Sequence, residues 1–363
     1  MNDEMNIGEL LADQVDKLFS REVTRERLIA VEQGRFDTGL WQNLDDMGIC
    51  LALAPESAGG VGLTWQEAEP ALRIAGSWAA PVPLAETMVA AWAMGHAGMD
   101  LPGAPMAVAG EVFQLGENSP DSGVRVSGAS AVTPWITVCD HLLVLARNDR
   151  ESRLCLLHRH DITVEDIETI ARLPGGRVDV ANAEPLASAV LPNTLSSALG
   201  ELGLLPLLAC VRTVQMAGLI DRLLELCVDY GNTREQFGRP IGRFQAIQHM
   251  IADLAGQSAA ARVAGLYACR QIDKGAIEQG ATVAKARIGP AATRGAEIAH
   301  QVFGAIGFTD EHILHYYSRR LWQWRSEAGS EHWWAERLGQ QVLARGGSAL
   351  WPSITDPKPT TVE

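Results

Sequence analysis

The sequence lacks paired cysteines, a basic excess, a long apolar run and a secretory-type start. Its six cysteines are scattered, and none sits in a CxxC or CxxH pair. That excludes a zinc-ribbon site and a disulfide framework. Lys and Arg number 30 against 44 Asp and Glu, a formal net charge of −14. An acidic surface repels phosphate backbones, so nucleic acid is not an expected partner. The longest strongly apolar run, Leu202–Val211, holds Pro206 and is far short of a membrane span. The first residues, MNDEMNIGELLADQVDKLF, are acidic and have no apolar core of a signal peptide. A reducing, cytoplasmic setting is therefore expected.

What is present can build a large core. The chain has 363 residues, 47% of them hydrophobic and 20% charged. Its mean hydropathy is +0.01. The length fits about two or three domains, and the composition excludes global disorder.

Three textures follow one another. The first hundred residues read as helices: Leu10, Leu11, Val15 and Leu18 recur at helical spacing, as do Ile29, Phe36, Leu40 and Leu44. Pro55, Gly59, Gly60 and Gly62 make a loop, and Thr64 with Glu67 forms a capping box for the next helix. From about Ala107 short Val-, Ile-, Leu- and Thr-rich runs alternate with turns, the pattern of a small antiparallel β domain. Asp121–Gly123 and Pro174–Gly176 are its clearest turn signals. From about Ser196 five long helical patterns follow with short connections, which predicts an antiparallel bundle. The expected fold is α+β: a helical domain (1–105), a β domain (106–195), a helix bundle (196–348) and a frayed tail (349–363).

Two segments carry chemistry. In YGNTREQFGRPIGRFQAIQHMIAD (Tyr230–Asp253), Arg234, Arg239 and Arg243 cluster within an acidic chain. Guanidinium groups grip phosphate bidentately, and Gly238 and Gly242 permit tight turns beside a ligand. The alternative is a helix-capping turn with solvated arginines. In QVFGAIGFTDEH (Gln301–His312), Gly304 and Gly307 break a helix. No strand precedes them, so a Rossmann fingerprint fails on context.

Taken together, these two segments resemble the C-terminal bundle of the acyl-CoA dehydrogenases. PESAGGVGLTWQEA (Pro55–Ala68) is similar to a loop and helix of that family's first domain, and Trp135-Ile136-Thr137 to its flavin-side strand. The resemblance implies an FAD-dependent oxidation of a CoA thioester. In the family a carboxylate takes the α-proton and the β-hydride passes to the flavin, giving an enoyl-CoA. It further implies that Arg234 reaches the FAD pyrophosphate of a neighbouring subunit, with Gln236, Phe237 and Gln245 as flanking contacts. Gln301, Gly304 and Gly307 match the loop at the adenosine half, and Trp135 and Thr137 flank the isoalloxazine.

Against that pattern two departures stand out. The family's usual base position falls on Ala328, with Glu327 adjacent, and its other base position falls on Thr233. Glu235 and Glu331 lie near but match neither. The stretch AVAGEVFQLGENSPDSG (Ala107–Gly123) lacks the family's Thr-Glu-Pro flavin loop. Both departures resemble the smaller, base-lacking subunit of heteromeric (α2β2) dehydrogenases of steroid side-chain CoA esters. Such a chain would need a larger paralogue. Two other readings stay open: a self-sufficient homotetramer using Glu327, and a non-catalytic acyl-CoA or flavin scaffold. His300, His312 and His315 read as interface or cap residues rather than metal ligands. The tryptophans Trp322, Trp324, Trp333, Trp334 and Trp351 read as core and subunit contact.

Overall fold

Apolar periodicity becomes helix for most of the residues that showed it, while Phe36 lies in the link between two helices. In the computed structural model, which describes residues 7–116 and 123–355, five helices open the chain. They are α1 (Ile7–Glu22), α2 (Arg25–Glu32), α3 (Thr38–Asp46), α4 (Trp65–Ser77) and α5 (Leu84–His96). The capping box at the start of α4 is reciprocal: Thr64 N donates to Glu67 Oε2 at 2.8 Å and Glu67 N to Thr64 Oγ1 at 3.2 Å. Those carboxylate bonds hold Glu67 below the ordinary carboxylate range.

Seven strands then form one sheet in the order β5-β6-β2-β1-β3-β4-β7. They are β1 (Met106–Leu115), β2 (Val126–Pro134), β3 (His141–Arg147), β4 (Ser152–His158), β5 (Thr163–Asp166), β6 (Gly175–Ala183) and β7 (Ala187–Val190). All neighbours pair antiparallel except β1 and β3, which run parallel with Met106 opposite His141. The reason is local. β2 returns alongside β1 and ends near its start, and the short link 135–140 carries the chain to the other side of β1, where β3 sets off in the same direction. Trp135–Thr137 lies in that link, in a turn rather than a strand, with Trp135 at φ 66. Pro174–Gly176, expected as a turn, opens β6 instead. A Cβ on Gly176 would come within 3.0 Å of Glu165 O, so only glycine lets the two strands approach there. The expected turn at Asp121–Gly123 falls largely outside the described residues.

The remainder is helical: α6 (Asn193–Leu199), α7 (Leu205–Thr233), α8 (Gln245–Asp273), α9 (Ile277–Phe303), α10 (Leu314–Ser326), α11 (Glu331–Arg345) and α12 (Leu350–Thr355). A two-strand hairpin, β8 (Glu235–Gln236) and β9 (Arg239–Pro240), separates α7 from α8. The chain divides into two compact units, residues 1–71 with 80–208, and residues 72–79 with 209–363. The second has its own core, including Leu219, Ile220, Leu254, Ile288, Leu314 and Trp324. Within it, segment 72–79 packs tightly on α7: a Cβ on Gly218 would lie 1.8 Å from Arg73 O, and one on Gly76 2.2 Å from Gln215 O. Asp221 fastens the same join, accepting from Ser258 Oγ at 2.5 Å and Arg262 Nε at 2.7 Å and pairing with Arg73 at 3.3 Å. Among the described residues no helix is long and apolar enough to cross a membrane.

Candidate functional site

The site begins where α7 ends. Arg234 N still donates to Tyr230 O at 2.9 Å, closing the last helical turn. The hairpin then reverses the chain through Phe237 and Gly238, both with positive φ (50 and 77). Two-residue hairpin loops need that left-handed backbone, and glycine adopts it freely while phenylalanine is strained. Phe237 is nonetheless 91% exposed, and the edge-on Phe244 ring, 6.2 Å away between centroids, covers little of it against that strain. Ile241 N returns to Arg234 O at 2.8 Å, and Gly242 lies where a Cβ would be 2.9 Å from Gly231 O. Glycine at 242 therefore lets the hairpin fold back onto α7.

The other wall comes from the end of α9. Gly304 stops that helix at φ 62, and a tight turn over Gly304–Phe308 follows. Phe303 stacks on Tyr230 with ring centroids 4.3 Å apart. Between the walls lies a cleft of about 560 Å³. Arg234, Gln236, Phe237, Gln301 and Gly304 all line it, so five of the predicted cofactor residues meet in one place. Gln245 and Gly307 are not among the lining residues: Gln245 is the exposed first residue of α8, and Gly307 is buried, its Cα facing Leu314 and Phe303. Sequence reasoning missed the apolar floor of Ile241, Phe244 and Ile247. Their signal was helical spacing alone, which marks core and cleft alike.

Of the three clustered arginines only Arg234 lines the cleft. Arg239 stacks its guanidinium over Phe244, 4.2 Å from the ring centroid. Arg234 is exposed, and its guanidinium makes no ion pair among the described residues. A free, bidentate-capable cation, amide side chains, exposed glycine backbone and aromatic walls together suit a nucleotide-like anion. These residues fit the pyrophosphate and adenosine half of a dinucleotide. In the other unit Trp135 is buried in the sheet core and Thr137 is half-buried.

The turn after α10 is built differently. Glu327 has a side chain only 8% exposed, and its two oxygens accept from Arg212 Nε at 2.6 Å and Gln323 Nε2 at 2.5 Å. Arg212 also donates to Gln215 at 2.6 Å. Beneath the turn, Lys285 is fully buried on α9 and donates to three carbonyls: Trp324 at 2.9 Å, Arg325 at 3.0 Å and Glu327 at 2.8 Å. Three acceptors match the three N–H bonds of an ammonium at the C-terminal end of α10. Burial pushes the Lys285 pKa down to about 7, although Glu327 pulls it up. Ala328 follows at φ 53, its carbonyl accepting from Trp334 Nε1 at 2.8 Å. Glu331 is ion-paired with Arg325, which holds its carboxyl below the usual range. Thr233, the second position where the resemblance implies a base, bonds its hydroxyl to Asp229 O at 2.9 Å.

All six cysteines are buried, and burial pushes the thiols of Cys50, Cys155 and Cys227 up to about 12. Among the described residues no group of three or more His, Cys, Asp or Glu is placed to hold a metal ion.

Similarity to known proteins agrees with this geometry. The family model "Acyl-CoA dehydrogenase, C-terminal domain" matches residues 209–342. Acyl-CoA dehydrogenase FadE27 of Mycobacterium tuberculosis is 30% identical, over 93% of this chain and 96% of that protein. A chain in the crystal structure of the ChsE4-ChsE5 complex from Mycobacterium tuberculosis superposes with a TM-score of 0.84 at 25% identity, covering 95% of this chain and 98% of its own. A variant of the Tcur3481-Tcur3483 steroid ACAD gives 0.83 at 28% identity, covering 94% and 98%. With its helices, central sheet and C-terminal bundle in that order, the chain belongs to the acyl-CoA dehydrogenase family.

Proposed function

We propose that this chain is the base-lacking subunit of a heteromeric FAD-dependent acyl-CoA dehydrogenase, acting on steroid side-chain CoA esters with a larger paralogue. One observation carries the reading. The chain keeps an open anion cleft around Arg234, yet Ala328 and Thr233 offer no carboxylate and Glu327 is committed to Arg212 and Gln323. A general base must reach its proton within hydrogen-bond distance, and a carboxylate buried between two donors is held away from that task.

Two similar structures support the partner and the substrate class: one is of the two-component ChsE4-ChsE5 complex, the other of a steroid ACAD. An exposed face on α8 supports assembly as well. Ala252, Gly256, Ala259, Val263 and Leu266 all face solvent along that helix, and a Cβ on Gly256 would meet nothing. Mid-helix glycine costs about 1 kcal/mol relative to alanine, and nothing within the chain repays it.

When bound, FAD supplies hydride acceptance. Arg234 would hold its pyrophosphate, Gln236 and Gln301 would offer amide bonds, and Gly304 would let backbone approach. With the group bound, Phe237 and the Tyr230–Phe303 stack would shield it from water. The subunit's contribution is binding and orientation, while proton removal belongs to the partner.

Turnover of Glu327→Gln in the co-purified assembly tests this. Activity per folded complex within about threefold of wild type is expected, since a positioning residue away from chemistry costs little. Loss of turnover with folding and flavin content intact would assign Glu327 as base and make the chain self-sufficient.

A further inference from the structure

A ring stack leads out of the cleft to a side chain that does not line it. Tyr230 lines the cleft and stacks on Phe303, and Phe303 meets the His312 imidazole at 4.5 Å between centroids. His312 sits in the loop before α10. Its Nδ1 accepts the Leu314 N–H at 3.1 Å. Leu314 is the first residue of α10, so its N–H has no partner inside the helix. The imidazole thus serves as the cap acceptor. The His312 carbonyl is held too, accepting from His315 Nδ1 at 2.7 Å.

We propose that His312 is a positioning residue for the anion cleft, which as a neutral imidazole fixes the start of α10 and, through Phe303, the Tyr230 wall. The proposal rests on reading the cleft as the dinucleotide site. An imidazolium has protons on both nitrogens and accepts no hydrogen bond. Protonation therefore replaces the Leu314 bond with donor against donor. It also places positive charge at the N-terminal end of α10, where the helix dipole favours anions.

The surroundings oppose protonation. Burial holds His312 below the ordinary imidazole range, and His315 acts in the same direction. His300 from α9 is held below the ordinary imidazole range by burial and by His315 as well, and an imidazole brings no negative charge in either form. From α10 come His315 and Arg319, whose Nε donates to His315 O at 3.3 Å. From the loop itself come Asp310 and Glu311, both exposed, and Asp310 lies 3.8 Å from His315 Nε2. Across Phe303, α7 presents Tyr230, and Arg234 follows the last residue of that helix. Acidification thus loosens the cap, then the stack, then the cleft.

Amide NMR of the labelled chain across about pH 5.5 to 7.5, the histidine range, tests the coupling without ligand. In wild type the Leu314, Phe303 and Gly304 amides are expected to shift with one common midpoint below about 6.5. In His312→Asn, which keeps an acceptor but does not titrate, that transition disappears. In His315→Gln the wild-type transition moves to higher pH. FAD affinity of the co-purified assembly is then expected to fall about tenfold over this range in wild type, roughly the worth of one hydrogen bond, and to stay flat when this chain carries His312→Asn. Amides at Phe303 and Gly304 that do not follow the Leu314 midpoint overturn the proposal. So does a transition that survives His312→Asn and vanishes in His300→Asn. An assembly that binds FAD at neither pH contradicts the dinucleotide reading of the cleft, while the amide titration still decides the coupling.

Discussion

After α7 the chain leaves Arg234 exposed at a cleft, whereas after α10 it buries Glu327 against Arg212 and hangs three carbonyls on Lys285. Both turns end long helices in the same bundle, and both use a non-glycine residue at positive φ, Phe237 in one and Ala328 in the other. The charges decide what each turn can do. An unpaired, solvated guanidinium keeps its bonding capacity for a ligand. A carboxylate between two buried donors has used its capacity, and its charge balances a neighbour rather than a reaction. One turn is poised for a ligand; the other holds the bundle together.

The largest effect expected from breaking this contrast is at the closed turn. Glu327→Ala leaves Arg212 buried without its partner, and chemical denaturation should show a loss of about 3–5 kcal/mol. A loss under about 1 kcal/mol would mean that the pair is not structural. At the open turn the same kind of truncation should spare the fold. Arg234→Ala is expected to change stability by no more than about 0.5 kcal/mol. Flavin affinity of the assembled enzyme should meanwhile fall about tenfold to a hundredfold, as for the loss of a charged hydrogen bond. Equilibrium dialysis against FAD measures it.

A pH series sharpens the picture beneath the closed turn. The folded Lys285 loses its proton at about 7, while an unfolded lysine keeps it to about 10.4. Between those values the unfolded state binds more protons, so this group makes stability rise with pH, by at most about 1.4 kcal/mol per unit. Lys285→Met should remove that slope, which denaturation at several pH values reads directly. The smallest effect is at the hairpin tip. Phe237→Asn gives an Asn-Gly loop suited to positive φ and should raise stability by about 0.5–1 kcal/mol. An unchanged melting point would show that Phe237 bears no strain.

Much of this contrast was legible beforehand, but unevenly. Helices showed because apolar residues recur at 3.6-residue spacing, and α8, α9 and α11 fall in the stretch from Ser196 read as a helix bundle. Arg234, Gln236, Phe237, Gln301 and Gly304 could be paired across some 65 residues only through the family resemblance, and the cleft does join them. The parallel pairing of β1 with β3 was invisible, because strand patterns carry no direction. Neither could local sequence separate Arg234 from Arg239, since the difference is a stack on Phe244. The Lys285 cage joins residues about 40 positions apart, and a lone lysine in an alanine-rich helix reads as a solvated face.

The most direct test of the account is the visible flavin absorption of the chain purified alone and again after co-expression with a larger paralogue from the same locus. A colourless lone chain that becomes yellow and active only in the complex is the predicted result. A yellow lone chain bleached by an acyl-CoA thioester would contradict it, and would show that one polypeptide holds both the flavin and a base.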